Sequence, residues 1–481
     1  MFALLAPLPA AAQSSNAALL KLLQILRDRG SITTAEYDEL RQVAGATEPA
    51  ASASPAPPVL LEARVAAQEA ALAGTAQAVA IQNAAMAGLD AKAQKAATDG
   101  VRQALAGKWY ERIGLRGYTQ FRMTQGFAGE GVPVEVPADR SVNENESLMI
   151  RRGRFVFSGD ISDHLALYAQ SDFNGSTGAA DFSLQMRDLY ADIALDKAKT
   201  FRFRLGQSKF PFGFVNMQSS QNRAPMERPD ALNSAVEGER DLGAYMMWAP
   251  AKTRQLFRDL VNKGLKGSGD YGVITVGGFG GQGLNRSDQN GDLHWVTRAS
   301  YPFTFANKQI LELGIQAYTG KFVVATQANA IGGASVTPTR PADGQTDRRA
   351  AVSVVWYPQP LGLEAEWTVG VSPQLTDDAR SIETASLHGG YLQLHYRHVG
   401  RYGTWFPFTR WQYYDGGRKF ARNAPRTKVN ELDFGVEFAR WAEIELTMMY
   451  THTLERMRTS SYPYSPATNA NRAAFQVQWN Y

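Results

Sequence analysis

The sequence predicts an all-β transmembrane barrel of sixteen antiparallel strands, preceded by an N-terminal helical and coiled-coil region. Three observations carry that reading. After residue 108, sixteen segments alternate apolar and polar residues with a period of two, and the number is even. Their connections sort by parity, long after odd segments and mostly short after even ones, which a soluble sandwich has no reason to show. The last segment sets Ala473, Phe475, Val477, Trp479 and Tyr481 against Arg472, Gln476, Gln478 and Asn480, so the chain ends on an aromatic residue.

Composition excludes the main competitors. The 481 residues hold 43 Gly, 19 Tyr, 23 Phe and 9 Trp, a usage that favours strands and turns. No run approaches the roughly 18–20 apolar residues of a membrane-spanning helix. Without cysteine there are no disulfides, thiolate metal sites or cysteine nucleophiles. A net charge of +4, from 50 basic and 46 acidic residues, gives no signal for nucleic acid. The sequence has no Gly-x-Ser-x-Gly elbow, P-loop or His-Glu-x-x-His helix, and on one strand His395 and His398 face opposite sides. No enzyme activity, cofactor or metal site is predicted.

The elements follow in order. Residues 1–12 are apolar and end in Ala10-Ala11-Ala12, which resembles a secretory signal and its cleavage site, although the basic n-region is missing. Residues 13–58 read as a short helical hairpin and an Ala/Pro linker. Leu19, Leu20, Leu22, Leu23, Ile25 and Leu26 mark the first helix, and Thr33 with Glu36 is a capping-box signature for the second. In residues 59–107, Val65, Leu72, Val79, Met86 and Ala93 recur every seven positions, with Leu61, Gln68, Thr75, Gln82 and Leu89 between them. That spacing predicts a coiled-coil helix roughly 70 Å long, with a weak seam of alanine and glutamine.

At residue 108 the period changes from seven to two. On strand 1, Ile113, Leu115, Gly117, Thr119, Phe121 and Met123 alternate with Arg112, Gly114, Arg116, Tyr118, Gln120 and Arg122. An arginine facing lipid near the midplane costs about 2–4 kcal/mol, so the arginine parity must face the lumen. That puts Arg112, Arg116, Arg122, Arg152, Arg154, Arg202 and Arg204 inside, and Arg151 on the opposite, outward parity. Glu364, Glu366, Glu431, Asp433, Glu437, Glu443 and Glu445 have lumenal parity on strands 11, 14 and 15. The functional reading is a basic track for anions facing a counter-charged wall; the plain alternative is a mixed-charge wall that is merely solvated. Trp295, Tyr301, Tyr357, Trp367, Trp405, Trp411 and Tyr450 are candidates for the aromatic girdles. One connection breaks the parity rule. Residues 251–270 follow an even strand yet are long, with a short helix expected around Gln255–Val261.

Several motifs are similar to the phosphate-selective porin O and P family. They are the Arg151-Arg152 pair, the R-D-L-Y-x-D element at Arg187–Asp192, and Gly206-Gln207-Ser208-Lys209-Phe210-Pro211-Phe212-Gly213. Met226-Glu227-Arg228 and Arg240-Asp241-Leu242-Gly243 complete the set. The resemblance implies a trimeric outer-membrane porin whose third long loop, here 207–240, folds into the lumen. It also implies an anion path lined by Lys209, at the constriction, with Arg151, Arg152, Arg154, Arg202 and Arg204. The expected function is passive diffusion of phosphate or related small anions. The expected partners are those anions, outer-membrane lipid and two further copies of the chain, with the N-terminal region periplasmic. The alternative is a structural anchor that links the barrel to the cell wall through the coiled coil.

Overall fold

A computed structural model describes residues 11–29, 33–45, 58–105, 108–128, 142, 147–174, 183–458 and 465–481. Most of the signal-like segment and of the Ala/Pro linker, and much of the first long loop, lie outside the described residues. The chain divides into two units, Met1–Ala104 and Leu105–Tyr481.

In the first unit, α1 (Ala11–Asp28) packs on α2 (Thr34–Gly45). The start of α2 is a complete capping box: the Thr33 amide donates to the Glu36 carboxylate at 2.7 Å, and the Glu36 amide donates to the Thr33 hydroxyl at 3.4 Å. Tyr37 is buried, and the Arg27 guanidinium lies 4.7 Å from its ring centroid. The long helix α3 (Pro58–Leu105) covers 48 residues without a break. Its seam positions Leu72, Val79, Met86 and Leu89 are exposed. The helix is present; a coiled coil built from it remains a proposal.

The second unit is the barrel. Its strands are β1 (Ile113–Ala128), β2 (Ser147–Asp160), β3 (Leu165–Asn174), β4 (Ser183–Ala194), β5 (Phe201–Lys209), β6 (Arg240–Trp248), β7 (Ile274–Phe279) and β8 (His294–Thr304). They continue as β9 (Ile310–Phe322), β10 (Gln345–Trp356), β11 (Leu361–Leu375), β12 (Ile382–Tyr396), β13 (Gly403–Gly417), β14 (Arg426–Trp441), β15 (Ile444–Arg458) and β16 (Ser465–Asn480). His398–Gly400 extends β12 past a break at Arg397, and Asn329–Ile331 with Ala334–Val336 is a small hairpin inside one long loop. Sixteen antiparallel strands therefore form the wall. The sheet closes where β1 pairs with β16, Tyr118 opposite Asn480 through Ala128 opposite Ala470. Gly117 and Tyr481 extend that closure with reciprocal backbone hydrogen bonds of 2.6 and 3.0 Å. A Cβ on Gly117 would lie 2.4 Å from the Tyr481 ring, so the terminal aromatic needs glycine there.

Alternation sorts the wall as lipid demands. Leu115, Phe157, Leu189, Leu205, Ile315 and Val352 are exposed on the outside, an apolar band that would be an aggregation hazard in water. Trp295, Tyr301, Trp367, Trp405 and Tyr450 also point outward, and Trp367 stacks with Trp411 at 6.2 Å. Tyr357 is an exception to the girdle expectation. It is fully buried and donates to Glu312 at 2.6 Å, because it sits just past β10 on the inward parity. Arg112 likewise departs from expectation: it ends a short 3-10 helix, Trp109–Arg112, and is exposed ahead of β1.

Two insertions fill the lumen. The connection 210–239 carries the short helices α4 (Phe214–Met217) and α5 (Asp230–Asn233), and Phe210, Phe212, Phe214 and Leu232 are buried. The long connection after β6 holds α6 (Ala251–Asn262), longer than expected. Past α6 the chain turns inward, burying Leu265, Lys266 and Ser268. The two insertions meet where the Gln218 amide group donates to the Lys266 carbonyl at 2.6 Å.

Candidate functional site: the lumenal constriction

Along β1 to β6 every strand but β3 contributes cations to a basic wall, and two carboxylates of the 210–239 loop organise it. Glu227 accepts from Arg122 and Arg152, each at 2.8 Å, and pairs with Arg151 at 3.1 Å. Glu239 pairs with Lys209 at 3.3 Å, Arg223 at 2.8 Å and Arg228 at 3.0 Å, and also with Arg240. These two carboxylates hold seven cations between them, and with Asp188, the second partner of Arg240, three acids face seven cations, so the cluster keeps a positive excess. Burial opposes the charge on Glu227, yet the adjacent Arg151, Arg152 and Arg122 hold its carboxyl well below the usual range. Glu239 is held down in the same way by Lys209 and Arg223, against the same cost of burial.

Arg151 reaches this cluster because the alternation breaks beneath it. The β1–β2 pairing runs Gln120 opposite Arg152 and then Phe121 opposite Ile150, so Arg151 is the extra residue of a β-bulge. A strict period of two put Arg151 outside; the bulge turns both neighbours inward, and both are buried. A second bulge does the same for Arg187, which is skipped between Gln170 opposite Asp188 and Ser171 opposite Met186. Arg187 then donates to the Gly238 carbonyl at 2.9 Å.

The remaining expected site residues are placed as follows. Lys209 is the last residue of β5, and its ammonium donates to the carbonyls of Asn216, Met217 and Gln218 at 2.9, 3.4 and 2.5 Å. It holds the end of α4 in place. Arg154 pairs with Asp172 at 3.0 Å and donates to the Tyr118 and Ser220 hydroxyls, both at 2.8 Å. Arg202 pairs with Asp270 at 2.7 Å. Arg204 grips Asp192 with two bonds of 2.7 and 2.9 Å, a bidentate fork, while lying 3.9 Å from the Tyr190 ring centroid.

The opposite wall uses its acids differently. The Glu366 carboxylate of β11 accepts from the Phe214 and Val215 amides at 2.5 and 2.8 Å, fixing the start of α4. The Asp230 amide donates to Gln412 at 2.9 Å, Arg410 donates to the Glu227 carbonyl at 2.7 Å, and Arg349 donates to the Ser234 hydroxyl at 2.7 Å. Glu431 and Asp433 are buried inward as expected, whereas Glu443 is exposed at the turn after β14.

Between the two insertions and the basic wall lies a cavity of about 590 Å³. Arg116, Arg204, Lys209 and Arg240 line it against Asp188 and Asp270, together with Tyr168, Tyr190 and Tyr271. Among the described residues no cluster of His, Asp or Glu is arranged to hold a metal ion.

A family model for the phosphate-selective porins O and P matches residues 122–481, which span the wall and the inserted loop. The chain belongs to that family. This porin is therefore a channel of the outer membrane. The chain is also similar, at low identity, to several solved structures. DcaP of Acinetobacter baumannii is 15% identical over 77% of this chain and 97% of its own, with a TM-score of 0.47. An anion-selective porin from Comamonas acidovorans is 9% identical over 77% and 99%, with a TM-score of 0.42. OmpT of Vibrio cholerae, in a trimer form, is 10% identical over 77% and 100%, with a TM-score of 0.43. No curated protein matches the porin's sequence.

Sequence reasoning gave no role to Glu227, Glu239, Arg223, Arg228 or Arg240, although Met226-Glu227-Arg228 and Arg240-Asp241-Leu242-Gly243 were among the motifs singled out. Their roles depend on how the loop folds back, which spacing along the chain does not state. Arg187 sat in the R-D-L-Y element, but its bulge leaves no periodic signal.

Proposed function

We propose that this porin is a passive diffusion channel for phosphate or related small anions. The supporting observation is the excess of cations beside the cavity, seven against Glu227, Glu239 and Asp188. In a narrow passage with low-dielectric walls such an excess raises the local anion concentration, and charged rings of this kind select anions. Lys209, Arg151, Arg152, Arg154, Arg202 and Arg204 act in this reading as a held positive field, each already paired, rather than as six open ligands. The long-loop end faces outside, the N-terminal helices lie in the periplasm, and three copies assemble. Single-channel recording tests the reading. A KCl gradient should give an anion-selective reversal potential, and replacing chloride by phosphate should leave a substantial current. Cation selectivity would refute it.

The unbroken 48-residue helix α3 favours a second role beside transport. At about 1.5 Å per residue it reaches roughly 70 Å, enough to tether the barrel to the cell wall. Co-sedimentation of the full chain with purified peptidoglycan, lost when residues 13–106 are removed, tests that role.

A further inference from the structure

Among the cations lining the cavity, Arg116 differs from the rest. Arg204 grips Asp192, Arg240 pairs with Asp188 and Glu239, and Lys209 donates to three carbonyls. Arg116 is exposed within the cavity, and no described residue hydrogen-bonds or ion-pairs with it. It is the guanidinium whose donors remain open to an incoming anion.

Beside it runs a stack of flat groups. Tyr168 and Tyr190 lie parallel with centroids 5.0 Å apart and planes 10° apart. The Arg204 guanidinium follows, 3.9 Å from the Tyr190 centroid and 5.4 Å from that of Tyr271. The order is Tyr168, Tyr190, Arg204, Tyr271. No other described ring or guanidinium stacks on Tyr168, and the next two inward positions along its row are small: Tyr168 pairs with Ser158, and Ser158 pairs with Gly114. A Cβ placed on Gly114 would meet nothing closer than 3.7 Å. The end of the stack therefore faces a gap. Arg116 sits in the neighbouring row, where it pairs with Val156 and Val156 with Gln170. Two strand spacings, about 10 Å, separate its strand from that of Tyr168.

We propose that this corner is a binding station for aromatic carboxylates, with the carboxylate on Arg116 and the ring extending the stack on Tyr168. A guanidinium binds a carboxylate through paired donors, and a tyrosine face accepts an offset-stacked ring. Inorganic phosphate uses only the first of these features, so the ring adds affinity that phosphate lacks. The proposal rests on the reading that the lumen carries anions.

The test uses the full chain in planar bilayers, with chloride current read while benzoate or cyclohexanecarboxylate is added. The two acids carry the same charge, but only benzoate is flat. Benzoate should halve the current at a concentration about fivefold lower than cyclohexanecarboxylate. Arg116→Gln should remove the block by both acids. Tyr168→Leu should bring benzoate down to the level of cyclohexanecarboxylate, and Ser158→Phe should do the same by filling the gap from the neighbouring strand. Equal half-effects in the unaltered protein would overturn the station, as would a benzoate preference that survives both Tyr168→Leu and Ser158→Phe. The KCl reversal potential from the same bilayers separates the two levels. Anion selectivity without a benzoate preference overturns only the station; cation selectivity overturns the anion reading and the station with it.

Discussion

The basic wall of β1–β6 and the acidic wall of β11–β15 hold the same loop by opposite means. On the basic side the loop supplies the carboxylates, Glu227 and Glu239, and the wall supplies most of the cations. On the acidic side Glu366 and Gln412 of the wall accept from loop backbone amides, and Arg410 adds one donor, to the Glu227 carbonyl. The difference teaches that lumenal charge and available charge are separate quantities. Parity along a strand decides the first. The second depends on what the inserted loop has already paired, which leaves Arg116 as the open guanidinium of the cavity.

The largest effect should come from breaking the basic side. Glu227→Ala leaves three buried guanidiniums, Arg122, Arg151 and Arg152, facing one another, and removing one partner of a buried pair costs about 3–5 kcal/mol. The barrel should lose its folded electrophoretic migration at a clearly lower temperature, and single-channel conductance should rise as the loop detaches. Unchanged conductance would mean that the acidic wall alone holds the loop.

Lys209→Met should act next in size. It removes the donor to three carbonyls at the end of α4 and just past it, and one cation of the Glu239 cluster, while Arg223, Arg228 and Arg240 remain. Conductance should become noisy, and anion selectivity should fall without being lost, both read from single-channel records. An effect confined to selectivity, with quiet channels, would show Lys209 acting on the anion directly rather than through α4.

The pH dependence sharpens the same contrast. Glu227 and Glu239 have folded-state pKa values held below the ordinary 4.5, so the unfolded chain takes up protons first as the pH falls. Their contribution is fully present above about pH 4.5 and is lost only as the pH drops well beneath it. These two carboxylates should therefore add no step to the conductance between pH 7 and pH 4.5. A step within that window would assign the titration to a group outside these two carboxylates.

The smallest effects should lie away from both walls. Arg112→Glu changes an exposed side chain ahead of β1 and should shift the reversal potential little. Deleting residues 13–106 should leave conductance per barrel nearly unchanged, because the lumen is already narrowed by insertions from its own barrel. A pore opened or closed by the deletion would make α3 a plug.

The sequence by itself determined the barrel. Period-two alternation over sixteen segments follows from lipid outside and water inside, which act on every residue locally, and loop lengths sort by parity because alternate connections lie on opposite sides of the membrane. The capping box at Thr33 and Glu36 was legible for the same reason, since its hydrogen bonds join residues three apart. Tertiary structure alone decided the site. Arg151 and Arg187 turn inward because a bulge adds one residue to one strand, and a bulge exists only relative to its partner strand. Glu227 meets Arg122 across 105 positions of sequence, and Phe214 meets Glu366 across 152. Contacts at such separations form only when a folded loop crosses a closed barrel, so no spacing along the chain records them. Alternation could say which side of the wall each cation faces, but only the loop's path settled which cations were already paired.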